Sequence, residues 1–334
     1  MNESKHTQWL RVMERAIAEN WSMLPSPPDE RDWPLSRIAQ PVALPASVRL
    51  DGLVPFVMDQ GKCGTCVSFA GTQIKNAFAS RRKALPEGGL SPLFLYARCK
   101  QEDGMPTTEG TYPRVALKVM QRDGICPEKV LPYSTLPQNA CLSFPQITQS
   151  HLDAAAPYKI KAYARLYGVD DIKQALAAGK LVMAGILVAD NFMKPSANNI
   201  IGPPEGRIYG LHAVGLCGYD DSKGAVRLFN SHGTDWGEKG FAWLTYEFCQ
   251  WESLDLKGFF ALEEAWAVES EYVAEQKIEM WIGTPFVHVN GATVLLDVAP
   301  HIKDDRAFVP VRFVSEALGR KVEWDGTQRK VTIW

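Results

Sequence analysis

Reactive residue types concentrate in one stretch, Asp59-Gln60-Gly61-Lys62-Cys63-Gly64-Thr65-Cys66-Val67-Ser68-Phe69-Ala70. A polar, glycine-bearing loop there runs into apolar residues at helical spacing, Phe69, Ile74, Ala77 and Phe78. Cys66 therefore falls at a predicted helix N-terminus. The unpaired N–H groups and the helix dipole at such an end favour a thiolate, and the thiolate is the nucleophilic form of cysteine. The plain alternative is a buried structural cysteine, the commonest fate of the residue. The spacing Cys63-Gly-Thr-Cys66 also admits zinc or a redox pair. Zinc would need two further ligands, and no second CxxC and no HxxxH follow. A thioredoxin-like motif would sit between a strand and a helix near the chain start. No metal and no cofactor are expected.

A nucleophilic cysteine needs a base. Of six histidines, His6 and His151 lie in polar stretches, and His288 and His301 belong to a distinct C-terminal region. His212 and His232 remain. His212 follows Tyr209-Gly210-Leu211 and opens an apolar strand, Ala213–Tyr219. A base in turn needs a partner that fixes its tautomer. Asn230 ends the next strand, Val226–Phe229, and antiparallel pairing of the two strands would bring Asn230 to His212. Taken singly, His212 reads as a core histidine and Asn230 as a turn residue. Together with Cys66 they make a nucleophile, a base and an orienting group.

The elements that must hold these residues change character once along the chain. Helix signals come first, over Cys66–Lys83 and over Pro113–Asp123 ended by Gly124. Strand signals follow at Leu181–Val188, Ala213–Tyr219, Val226–Phe229 and Phe241–Leu244. That order predicts an α+β protein with a helical half and a β-rich half. Residues 1–45 form a lead-in. His6–Asn20 carries Trp9, Leu10, Met13, Ala16 and Ile17 as a helical stripe. Pro25, Pro27, Pro28, Pro34, Pro41 and Pro45 then keep the chain extended, over the surface of something larger. Residues 46–268 form the main domain. Residues 278–334 form a small α+β unit, with a hairpin Phe286–Gly291/Val294–Val298 turning at Asn290-Gly291. A helix Arg312–Leu318 capped by Gly319 and a second hairpin, Val322–Trp324 with Val331–Trp334, complete it.

The composition is that of a globular protein, 46% hydrophobic and 22% charged. A net charge of −2 gives no electrostatic case for nucleic acid or an anionic membrane. No apolar run approaches the ~20 residues of a membrane span, and the polar start does not read as a signal peptide. On that ground the protein is expected in the cytoplasm or exported by another route. Seven cysteines leave at least one thiol unpaired within the chain.

Three segments together carry a resemblance: Gln60-Gly-Lys-Cys-Gly-Thr-Cys66, Leu211-His-Ala-Val214 and Asn230-Ser-His-Gly-Thr-Asp-Trp-Gly-Glu-Lys-Gly-Phe241. They resemble the papain-like cysteine peptidases, whose Cys…His…Asn order and gap of roughly 130–150 residues between Cys and His they reproduce. The likeness spans about 44–265. Leu90-Ser-Pro-Leu-Phe-Leu-Tyr-Ala-Arg-Cys99 resembles that family's second helix. Ser91-Pro92 and Gly124-Ile-Cys-Pro-Glu128 look closer to its bacterial branch. The resemblance implies Cys66 as nucleophile, His212 as general base and acid, Asn230 as orienting group and Gln60 as oxyanion donor beside the Cys66 N–H. It implies a substrate loop at Gly110 and Thr111, and a pocket walled by Tyr112, Pro113, Gly185, Leu211 and Ala213. That pocket would take an apolar residue second before the scissile bond, in a protein or peptide substrate. Thr65, Val67, Thr111 and His232 depart from the family pattern. His232 stands where a tryptophan normally covers the His–Asn bond. By the family pattern Cys99 would pair with Cys141, and Cys126 would replace the missing partner of Cys63; a wholly reduced protein is the rival reading.

The C-terminal unit has its own likeness. Val287-His-Val-Asn-Gly291, Leu296–Pro300, Arg306–Gly319 and Val322-Glu-Trp-Asp325 resemble the stalk-like domain named after the N-terminal part of copper amine oxidases. That likeness implies an exported protein and a contact with the cell wall or surface. It implies no copper, since His288 and His301 lack a third ligand. The reading reached is a cysteine endopeptidase. A cell-wall amidase or transpeptidase on the same Cys/His/Asn set, or a non-catalytic surface-binding pseudo-peptidase, are the alternatives.

Overall fold

The nucleophile's helix, α1 (Cys66–Arg81), is buried from Cys66 to Ala79. A helix enclosed on every side needs no polar stripe, and its small residues let neighbours come close. A Cβ on Gly71 would lie 2.9 Å from Met120 Sδ and 3.1 Å from both Leu95 Cδ2 and Met183 Cε. Those atoms belong to α2 (Pro92–Lys100), α3 (Pro113–Arg122) and the first long strand of the sheet. Both flanking helices start with proline in the first turn, where its missing N–H costs nothing. Ser91 caps α2 by accepting the Phe94 N–H at 3.0 Å. Gly124 ends α3 at φ +85°, and a Cβ there would strike the Ala155 carbonyl.

These features come from a computed structural model, which describes residues 23–333 apart from 28, 31, 40, 43, 254–259, 271–277, 290–291 and 318–321. The expected helix over His6–Asn20, the Asn290-Gly291 turn and the Gly319 cap lie outside the described residues. The chain divides into two compact units, 1–271 and 272–334.

In the first unit an eight-stranded sheet faces the helices. Its strands are β1 (Ser47–Arg49), β2 (Ala162–Leu166), β3 (Leu181–Ala189), β4 (Ile200–Ile201), β5 (Ile208–Asp220), β6 (Ala225–Phe229), β7 (Phe241–Thr245) and β8 (Leu262–Glu269). The spatial order is β2-β8-β3-β5-β6-β7-β4, with β1 on β5. Every pairing is antiparallel except β4 with β7. β3 is buried at each of its nine positions. β3 and β5 pair Ile186 with His212 and Gly185 with Ala213. β5 and β6 pair Gly215 with Phe229, and a Cβ on Gly215 would fall inside the Phe229 ring. Helices precede most of the strands, as the α+β reading expects. β2 and β8 carry no clear signal in the sequence.

The second unit holds β9 (Ile278–Met280), β10 (Phe286–Val289) and β11 (Ala292–Leu295) in one antiparallel sheet. Two hairpins follow, β12 (His301–Lys303) with β13 (Arg306–Phe308), and β14 (Val322–Asp325) with β15 (Lys330–Ile333). A helix, Val311–Ala317, lies between them in sequence. Among the described residues no helix is long and apolar enough to cross a membrane.

The disulfide expectation needs correction. Cys63 is bonded to Cys141, with 5.4 Å between Cα atoms. Neither Cys99–Cys141 nor Cys63–Cys126 forms. Cys99 and Cys126 are free thiols within the core. The physical reason is the packing of the Pro137–Cys141 segment onto the loop before α1. Gln138 Oε1 accepts the Lys62 N–H at 2.9 Å, which sets Cys141 beside Cys63 and leaves the α2 thiol without a partner sulfur.

Candidate active site

Cys66 is 2% exposed at the first position of α1. The backbone N–H groups of Ala213, Val67 and Cys66 itself point at its sulfur. Ala213 is the neighbour of His212, so β5 meets the helix end at this point. His212 is 1% exposed. Its Nε2 lies 2.7 Å from Asn230 Oδ1. The same Oδ1 accepts the Ser231 backbone N–H at 2.8 Å. An atom that takes a main-chain N–H is the amide oxygen, so Nε2 carries the imidazole proton. Nδ1 is left as the basic nitrogen.

Burial pushes the Cys66 thiol up to about 11, against the pull of those three N–H groups. Burial also pushes His212 down to about 3; His232 works in the same direction and the Asn230 bond against it. Desolvation thus disfavours the charged form of each member of the covered pair.

Gln60 is 6% exposed, and both ends of its amide are fixed. Nε2 donates to the Cys63 carbonyl at 2.9 Å, while Oε1 accepts the Ser231 hydroxyl at 2.6 Å. One N–H of the amide is spent on Cys63 and the other is available. The loop under Gln60 is braced from several sides. Tyr133 Oη donates to the Gln60 carbonyl at 2.7 Å and lies 2.8 Å from Thr65 Oγ1. Glu109 Oε2 accepts the Gly64 N–H at 2.7 Å. The Cys63–Cys141 disulfide closes the brace.

The expected substrate residues gather along one cleft, and the lead-in fills it. Gly110 takes φ +84°, and its carbonyl accepts from the buried Lys100 ammonium, itself paired with Asp103. Met23 is fully buried. Its N–H reaches the Leu211 carbonyl at 3.4 Å, and the Leu24 N–H reaches the Thr111 carbonyl at 3.2 Å. A Cβ on Gly185 would lie 2.4 Å from Met23 Sδ and Cε. The glycine therefore opens the hole that the Met23 side chain occupies. Tyr112 is partly buried and Pro113 buried at the start of α3, where the next N–H, from Arg114, donates to Ser26 Oγ at 3.1 Å. Arg114 also pairs with Asp32 at 3.0 Å and Asp29 at 3.6 Å, and reaches the Pro27 carbonyl. Among the described residues of the lead-in, Met23 and Leu24 run through the cleft and not merely over the surface, while Leu35–Arg37 form a short 3-10 helix where the prolines predicted no regular element.

One wall residue escaped the sequence reading. Glu264 is 2% exposed and faces Gly185 across β8 and β3. Its Oε2 accepts from Arg165 at 2.8 Å and from Trp266 Nε1 at 2.6 Å. Its Oε1 accepts the Ser26 N–H at 2.9 Å. The strand Ala261-Leu-Glu-Glu-Ala-Trp266 shows no alternation that would have singled out the second glutamate. Ser231 was also unremarked, although its place directly after Asn230 was the available signal. Among the described residues no three His, Cys, Asp or Glu side chains converge as a metal site.

The sequence profile of the papain family cysteine protease matches residues 45–255. The chain belongs to that family. The profile of the copper amine oxidase N-terminal domain matches residues 267–333. Cathepsin B-like CP3 of Giardia intestinalis is 30% identical over 197 residues, 56% of this chain and 63% of its own length. The chain thus spans somewhat under two thirds of that relative. Xylellain, a cysteine protease from Xylella fastidiosa, shares the fold at a TM-score of 0.62 and 27% identity, over 75% of this chain and 96% of that one. The bromelain protease of Ananas comosus superposes at 0.51 and 20% identity, over 68% of this chain and all of that one, a likeness of fold.

Proposed function

We propose that this papain-family chain is a cysteine endopeptidase, with Cys66 as nucleophile, His212 as base and acid, and Asn230 holding the imidazole. The observation that carries the reading is the Nε2–Oδ1 bond of 2.7 Å behind His212, which leaves Nδ1 to take the thiol proton. Transfer of that proton makes thiolate and imidazolium together, and their attraction offsets part of the desolvation that holds each apart. The sulfur attacks the peptide carbonyl. The developing oxyanion takes the free N–H of Gln60 and the Cys66 N–H. His212 then protonates the leaving amine. Water, deprotonated by His212, releases the acid from the thioester.

The pocket reading follows the strap. An uncharged, unbranched Met23 fills the space beside Gly185, so an apolar substrate side chain fits there. A fully buried Leu or Val gains about 1.5–3 kcal/mol from this burial. Glu264 does not make the pocket a cation site, because Arg165 already neutralises it. A fluorogenic peptide panel varying only the second residue before the scissile bond tests the proposal. Leu, Val or Phe are expected to lead Arg by about tenfold or more in kcat/KM, and Cys66→Ala to abolish every signal. Turnover surviving in Cys66→Ala removes the nucleophile; an Arg peptide turned over as well as Leu removes the apolar pocket alone.

The C-terminal unit supports a contact with the cell wall or surface. Trp281, Phe286, Ile302, Phe308 and Trp324 are all half exposed within it, an excess of apolar surface for a small unit. The Cys63–Cys141 disulfide supports an oxidising, extracytoplasmic setting. Full-length chain and a 1–271 fragment mixed with purified cell walls separate the outcomes. Sedimentation of the full chain alone is expected, and equal sedimentation of both, or of neither, contradicts the contact.

A further inference from the structure

His232 is a titratable ring packed on the proposed base. The β5–β6 ladder pairs Gly215 with Phe229; three residues before the first and three after the second stand His212 and His232. Their ring centroids are 5.0 Å apart with planes inclined by 38°. Phe192 meets His212 edge-on at 5.8 Å and is itself backed by Trp236 at 5.0 Å. His212 therefore touches a ring that cannot charge and one that can.

We propose that His232 is a titrating positioning residue that acts through His212. Uncharged, its ring helps close off the His212–Asn230 bond from water. Charged, it opposes the imidazolium on which the reactive ion pair depends. The inference rests on the peptidase reading of Cys66 and His212.

The sign follows from what faces His232. Asp59 is paired with it in an antiparallel bridge, on the loop that leads to Gln60. Gly233 next to it is tied to the Met58 carbonyl at 3.1 Å. Asp59 and His212 are charged or titratable groups that act on it. Burial holds His232 below its ordinary value, and Asp59 works the other way. The ring is therefore neutral at neutral pH and charges on acidification. Each added positive charge at this spacing displaces a neighbouring imidazole by about one to two pH units. The chain loses its reactive pair on acidification by two protonations: that of the Cys66 thiolate, and that of His232.

The test is the rate at which iodoacetamide alkylates Cys66 between pH 3 and 8, with the adduct located by peptide mass. It is run on the full chain and on H232W, H232Q and D59N. The wild type is expected to lose reactivity with a two-proton acid limb. H232W and H232Q are expected to show a one-proton limb with its midpoint about one pH unit lower. D59N keeps the second titrating ring but lowers its affinity for protons, so its limb stays two-proton and moves down. Coincident limbs in wild type, H232W and H232Q overturn the inference, as does a D59N limb that does not move. If wild-type Cys66 alkylates only as an ordinary thiol, with no reactive plateau below pH 8, the peptidase reading falls and the inference with it. A plateau with an invariant limb sinks the inference alone.

Discussion

Ser231 sits between the two halves of the proposed chemistry. Its N–H fixes the Asn230 amide, and its hydroxyl fixes the Gln60 amide. A single residue thereby sets which atom of each amide is oxygen, hence the His212 tautomer and the direction of the Gln60 N–H. Gln60→Ala removes the donor and is expected to lower kcat about 10²–10³-fold. Ser231→Ala leaves the donor in place but free to rotate; its loss is expected to be smaller, about tenfold, and to fall on kcat with KM little changed. Steady-state kinetics on one peptide measure both, and a Ser231→Ala enzyme impaired only in KM would contradict this account of the residue. Cys66, His212 and Asn230 could be proposed from the sequence because each brings a specific residue type at a specific place, and Gln60 through the family resemblance. Ser231 and Glu264 could not, since serine and glutamate are common and their roles come from the residues they face. Asn230 Nδ2 is buried with no hydrogen-bond partner among the described residues, consistent with an amide oriented through its oxygen.

At the scale of elements, the long strands β3 and β5 could be read from apolar runs, and α1 from the helical spacing of Phe69, Ile74, Ala77 and Phe78. Continuous burial leaves continuous hydrophobic sequence. β8 could not, because Glu263 and Glu264 break its pattern and only the fold reveals that Arg165 compensates one of them. The disulfide was equally hidden, for spacing does not say which loops pack. The lead-in shows the same limit. A lone Met23 in a proline-rich stretch gives no sign that it fills a pocket. Its burial, the two main-chain bonds to Leu211 and Thr111, and the Arg114 pairs with Asp29 and Asp32 hold the strap where a substrate is proposed to bind. Burial of a methionine side chain is worth about 1.5–3 kcal/mol. Deleting residues 1–27 is therefore expected to raise kcat/KM on a small peptide by about tenfold or more. An unchanged or lower rate in a soluble deletion variant would show that the strap does not restrain the cleft.

For the whole molecule, the proposed chemistry and the proposed attachment fall in separate units. The papain-family unit holds every proposed catalytic group and the strap, while the C-terminal unit brings aromatic surface and no reactive cluster among its described residues. The central claim is that one of the five thiols outside the Cys63–Cys141 disulfide is made nucleophilic by its place at the α1 N-terminus beside His212. Labelling with an epoxide thiol inhibitor, followed by peptide mass analysis, tests it most directly. The account expects one adduct per chain, on Cys66, formed faster once residues 1–27 are deleted and absent in Cys66→Ala and His212→Ala. An adduct on Cys99, Cys126, Cys217 or Cys249, or undiminished labelling of Cys66 in His212→Ala, would contradict it.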